Sequence, residues 1–115
     1  MSEDGQKLIA AVRAVAAEQP DLVYTDACQY VVKDGPGEYR PGCLIGHALW
    51  RLGMIDSFWY GDSSRNISQI TALTKEFRLD TEEAYWLGVA QDEQDAQEPW
   101  GVAVRAADDR FGFIR

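Results

Sequence analysis

The placement of proline and glycine sets the tightest limit on what this chain can fold into. Pro20, the run Asp34-Gly35-Pro36-Gly37, the pair Pro41-Gly42, Gly53 and Pro99 punctuate it. Proline lacks the backbone donor that a helix interior uses and disfavours the helical conformation in the residue before it. Glycine just past a helix end takes the left-handed conformation that stops the helix. Regular structure is therefore cut into short pieces.

Between these breaks the apolar periodicity is mostly that of helices. Residues 4–18 place Leu8, Val12 and Val15 on one stripe, with Ser2 or Asp4 as cap. Around Cys28, Tyr30 and Val32 the period changes to two, and the turn at 34–37 followed by Glu38-Tyr39-Arg40 predicts a small hairpin. A hairpin alone is marginal in water and must lean on helices. A second helix is expected over 42–52, with Ile45, Ala48, Leu49 and Leu52 facing inward. A third is expected over 67–77, opened by Asn66 and Gln69. A fourth, over 81–95, starts with the capping-box pair Asp80 and Glu83; its first half is apolar on most sides, as in a buried helix. Pro99 suits the first turn of a fifth helix carrying Trp100, Ala103, Val104 and Ala107. Phe111–Ile114 forms an aromatic tail, suited to adding a strand or plugging the core. The expected fold is mainly α (α+β), a bundle of about five helices with one small β-hairpin, and helices 42–52 and 81–91 at its centre.

A length of 115 residues fits a single domain over 1–115, and 46% hydrophobic residues are enough for a core. No apolar run approaches the ~18 residues of a membrane span, so no membrane is expected. Met1–Gly5 does not read as a secretory leader, and two cysteines are too few for a disulfide framework, so a cytoplasmic setting with thiols is expected.

Charge is unevenly distributed. The net charge is −8, and between Leu79 and Val104 there are seven acids (Asp80, Glu82, Glu83, Asp92, Glu93, Asp95, Glu98) and no base. Nucleic acid and anionic lipid are bound by basic patches, and none is evident, so direct nucleic-acid binding is not expected. The acids at the start of helix 81–95 would repel phosphates, which argues against a helix-turn-helix reading of 67–95. An acidic stretch of this kind aids solubility or docks a basic protein, including one that ordinarily holds nucleic acid.

Cys43 and His47 are the residues most open to a chemical reading. At i and i+4 they share a helix face, with the cysteine in the first turn, where unpaired N–H groups favour a thiolate and an adjacent imidazole would pair with it. Gly42 and Gly46 would let a substrate or another backbone come close. Against catalysis, His47 is the only histidine. Nucleophile and base one turn apart on a single helix is an unusual arrangement, and a buried thiol behaves as a small hydrophobe. A zinc site from Cys28, Cys43 and His47 with Asp26 lacks the paired spacing of structural zinc. No cofactor is expected.

The segment Cys43, Leu44, Gly46, His47, Leu49, Leu52 and Gly53 resembles one found in small proteins of actinobacteria and their phages. A second segment, Gln91, Gln94, Asp95, Pro99, Trp100, Gly101 and Ala103, is similar to their C-terminal pattern. The resemblance covers roughly 24–107. It implies a phage-encoded accessory protein acting on a host protein, and brings no chemistry with it.

These readings favour a small acidic, non-enzymatic protein-binding or regulatory module. Its expected contact residues are Phe58, Trp59 and Tyr60, three consecutive aromatics in a polar loop, and Asp92, Glu93, Asp95 and Glu98. The alternatives are a thiol-dependent enzyme using Cys43 and His47, and a nucleic-acid mimic that blocks a DNA- or RNA-binding protein.

Overall fold

The computed structural model describes residues 2–25, 29–56, 59, 74 and 76–110. They form a mainly helical fold with one two-stranded antiparallel hairpin. In chain order the elements are α1 (Glu3–Glu18), β1 (Val31–Lys33), β2 (Tyr39–Pro41), α2 (Leu44–Arg51), α3 (Thr81–Asp95) and α4 (Trp100–Arg110). That is four helices among the described residues, against the five expected. The segment expected as a helix over 67–77, its cap at Asn66 and Gln69, and the tail at 111–114 lie wholly or largely outside them.

Helix α1 begins as its sequence dictates. Ser2, not Asp4, is the cap, its hydroxyl accepting the Gly5 N–H at 3.0 Å, and Glu3 and Asp4 sit in the first turn, where the helix dipole favours acids. Leu8, Ile9, Ala11, Val12, Val15 and Ala16 are buried along one stripe. After Gln19 the chain runs past the start of α4, whose first amides are taken by loop carbonyls. Trp100 N–H donates to the Leu22 carbonyl at 3.0 Å, and Gly101 N–H to the Pro20 carbonyl at 2.9 Å. Helix-start N–H groups that lack partners within the helix are thereby satisfied.

The hairpin pairs Val31 with Pro41, Val32 with Arg40 and Lys33 with Tyr39. Two further bonds, Gly42 N–H to Tyr30 and Cys43 N–H to Gln29, bind its base to the start of α2. The inward set differs from the expected alternation: Tyr30 and Val31 are both fully buried, and Val32 is half-buried. Tyr30 precedes β1 and so escapes the strand period.

Helix α2 is eight residues long, with Ile45, Ala48 and Leu49 in the core. Leu52 was expected inward, but it lies past the last helical turn and is 38% exposed. Gly53, with φ of 71°, supplies the left-handed stop.

Helix α3 opens with the full capping box. Asp80 accepts the Glu83 N–H at 2.8 Å, and the Glu83 carboxylate accepts the Asp80 N–H at 3.0 Å. Its inner face buries Trp86, Leu87, Val89 and Ala90 together with Glu83, Gln91 and Gln94. The expectation of a first half buried nearly all round is corrected by Tyr85, which is 61% exposed. Helix α4 packs most extensively on α3, burying Trp100, Ala103 and Ala107, while α1 packs chiefly on α2. Asp108 of α4 ties three helices together: it accepts from Arg13 of α1 at 2.6 Å and from the Trp86 indole of α3 at 3.0 Å, with Arg13 lying over the Trp86 ring.

Candidate functional site

Cys43 sits in the interior. It is 1% exposed and carries a thiol. As N-cap of α2 it makes no side-chain capping bond; the Leu44 N–H is instead held at 2.7 Å by Oε1 of Gln94, fifty residues away. The first amide that would have favoured a thiolate thus has another acceptor. The two glycines flanking Cys43 serve packing: a side chain on Gly42 or Gly46 would collide with the carbonyls of Gln29 and Tyr30. The close approach they permit is that of the hairpin backbone, and Cys43 presents no surface to a substrate in this conformation.

His47 lies apart from that enclosure. It lines a cleft of about 230 Å3 with Leu22, Val23, Tyr24, Thr25, Arg40, Gly42 and Trp100. Its ring meets the Trp100 ring edge-on at 5.2 Å. Burial holds its pKa below the ordinary imidazole value, and the positive charges of Arg40 and then Arg51 push the same way, against a hydrogen bond with the Gly42 backbone. The imidazole is therefore neutral at neutral pH. Arg51 is engaged by Glu18 through two bonds of 2.6 and 2.7 Å. Arg40 has a longer contact of 3.5 Å with Asp34, and both side chains are over half exposed.

The Trp100 indole nitrogen is buried and has no hydrogen-bond partner. Nothing in the sequence joined Arg40 and Trp100 to His47, because the loop, the second strand and a helix start come together only in the fold.

The expected contact residues separate. Trp59 is interior, 5% exposed, stacked on Phe77 and edge-on to Tyr30. Trp59 thus packs into the core and presents little of its ring for the contact expected of it. A tryptophan this large is best accommodated where it can bury most of its ring. Phe58 and Tyr60 lie outside the described residues. Of the acids, Asp92 and Asp95 are exposed on the last turns of α3, while Glu93 and Glu98 are half-buried; Glu93 lies 3.9 Å from Arg110. No base occupies the last turn of α3, so Asp92, Glu93 and Asp95 sit at the negative end of its dipole.

For the zinc reading, Cys28 and Asp26 lie outside the described residues, and among the described residues no three His, Cys, Asp or Glu side chains group to hold a metal. No helix among them is long and apolar enough to cross a membrane.

The outer face of α3 offers a second region. Glu82, Tyr85, Gly88, Asp92 and Asp95 follow one another at helical spacing, all exposed except the half-exposed Gly88. Nothing lies within 4 Å of where a Gly88 side chain would start. A mid-helix glycine costs roughly 1 kcal/mol relative to alanine, and here no neighbour requires it. Together these residues make a shallow notch flanked by an aromatic ring and carboxylates. The chain matches no protein-family model, no curated protein and no solved structure.

Proposed function

We propose that this chain is a non-catalytic protein-binding module that offers the outer face of α3 to a partner bearing basic side chains. The observation that carries the reading is Tyr85, 61% exposed beside an unfilled notch and within a run of acids that lacks bases. Exposed tyrosine is a common interface anchor, because it brings a large rigid surface with a polar tip. The carboxylates favour a basic partner and make association sensitive to salt. The resemblance to phage proteins suggests a host protein as that partner.

The test places the photo-crosslinker benzoylphenylalanine at position 85 and, as control, at the exposed Ala14 of α1. Irradiation in an actinobacterial lysate is expected to give one discrete adduct with a basic protein from position 85 only. Added salt, or Gly88→Gln filling the notch, should remove it. The same bands from both positions, or a band indifferent to salt and to Gly88→Gln, would reject the reading.

A further inference from the structure

The outer face of α3 has a spacing as well as a charge. Thr81, Tyr85, Gly88, Asp92 and Asp95 follow at intervals of four, three, four and three, and all are exposed except the half-exposed Gly88. That alternation is the one by which a helix meets another helix along a seam. The opposite face of α3 buries Trp86, Leu87, Val89 and Ala90, so core packing fixes the direction in which the seam is turned. At the middle of the row, Gly88 omits one side chain and leaves open space over the backbone. Tyr85 and Asp92 stand on either side of it, seven residues and about 10 Å apart. Glu82, also exposed, lies three residues before Tyr85, on the side toward which helical side chains lean.

Resting on the reading of this face as a docking surface for a basic protein, we propose that the docked element is an α-helix with two arginines seven residues apart and a large apolar side chain between them. The first guanidinium lies on the Tyr85 ring and forks to Glu82, the apolar side chain fills the space over Gly88, and the second arginine pairs with Asp92. Arginine suits the first position because its planar cation stacks on an aromatic face and meets a carboxylate through two parallel bonds, whereas a lysine ammonium is a point charge without a fork. A helix suits the spacing, since seven of its residues repeat the distance from Tyr85 to Asp92 and keep both cations on one face. An extended segment covers that distance in about three residues, which turns the two cations to opposite faces. Gly88 also lets a second helix approach toward the near end of the ~8–10 Å range of packed helices.

The test titrates alanine-rich peptides into the native protein at low salt and follows the Gly88 amide in a 1H–15N spectrum, a signal identified by its loss in Gly88→Ala. The probe peptide carries arginine at positions i and i+7 and leucine at i+3. It is expected to shift the Gly88 signal saturably. A peptide of the same composition with the arginines five apart, on different sides of its helix, should bind about tenfold more weakly, as should one broken by a central proline. Tyr85→Ala, at an exposed position, should weaken the probe about tenfold, and Tyr85→Phe, which keeps the ring face, should not. Equal binding of the three peptides, an unmoved Gly88 signal, or full affinity in Tyr85→Ala overturns the proposal. If the salt-sensitive crosslink from position 85 to a basic protein persists in that event, the docking surface stands and only the arginine-bearing helix is rejected; if the crosslink fails as well, both are rejected.

Discussion

On the inner face of α3, Glu83, Gln91 and Gln94 are nearly inaccessible, and each holds another part of the chain. Glu83 accepts from Ser2, Gln6 and the Asp80 N–H; Gln91 accepts from the Tyr30 hydroxyl at 3.3 Å; Gln94 caps α2. On the outer face of the same helix, Glu82, Asp92 and Asp95 are exposed around a tyrosine and an unfilled glycine. Similar residue types occupy both faces. Inside, their geometry is fixed by partners, and the expected consequence of loss is unfolding. Outside, loss should leave the fold intact, so a loss of binding there reports on function.

Mutations that break this contrast should do so in a definite order. The largest effect is expected from Gly5→Ala. A methyl group there meets the Glu83 carboxylate, which three hydrogen bonds hold in place, and the expected loss is about 3 kcal/mol in urea unfolding. Gln94→Leu keeps the volume but orphans the Leu44 N–H, and should cost about 2 kcal/mol; an unchanged midpoint would show that α2 needs no cap from α3. On the outer face the sign reverses. Gly88→Ala should raise stability by about 0.5–1 kcal/mol, since it removes helix-interior glycine and meets no neighbour. A loss of stability there would give the glycine a structural role and weaken the case for the notch.

The smallest effect concerns pH. The folded-state pKa of His47 lies below its ordinary 6.5, so on acidification the unfolded chain takes up a proton first. The stability that neutral His47 contributes is present above about pH 6.5 and is lost as pH falls toward the folded-state value. Urea midpoints should decline over that window in the native sequence, with a shallower slope in His47→Gln. Equal slopes would place the imidazole in a more open setting than the cleft.

What could be read from the chain alone follows the distance over which each interaction acts. The capping box of α3 was legible because both of its bonds close within three residues. The same Glu83 was not legible as a buried carboxylate, since Ser2 and Gln6 lie at the other end of the chain. The helical stripe of α2 predicted Ile45, Ala48 and Leu49 inward, but not that Leu52 would fall beyond the last turn. The neighbourhood of Cys43 suggested reactivity because spacing reports a shared face and says nothing of the hairpin laid across it. The cleft was invisible for a related reason: its wall joins residues 22–25 with Arg40, Gly42, His47 and Trp100, which no local period connects.

The cap that Gln94 provides for α2 also bears on the order in which the chain can assemble. Eight residues are too few to persist as an isolated helix in water, because nucleation is costly. The segment must wait for a glutamine that lies fifty positions downstream. On a ribosome, the middle of this protein would emerge well before the group that steadies it. Its native shape would then be acquired late and together, and a chain clipped before residue 94 would lose a helix far upstream of the cut.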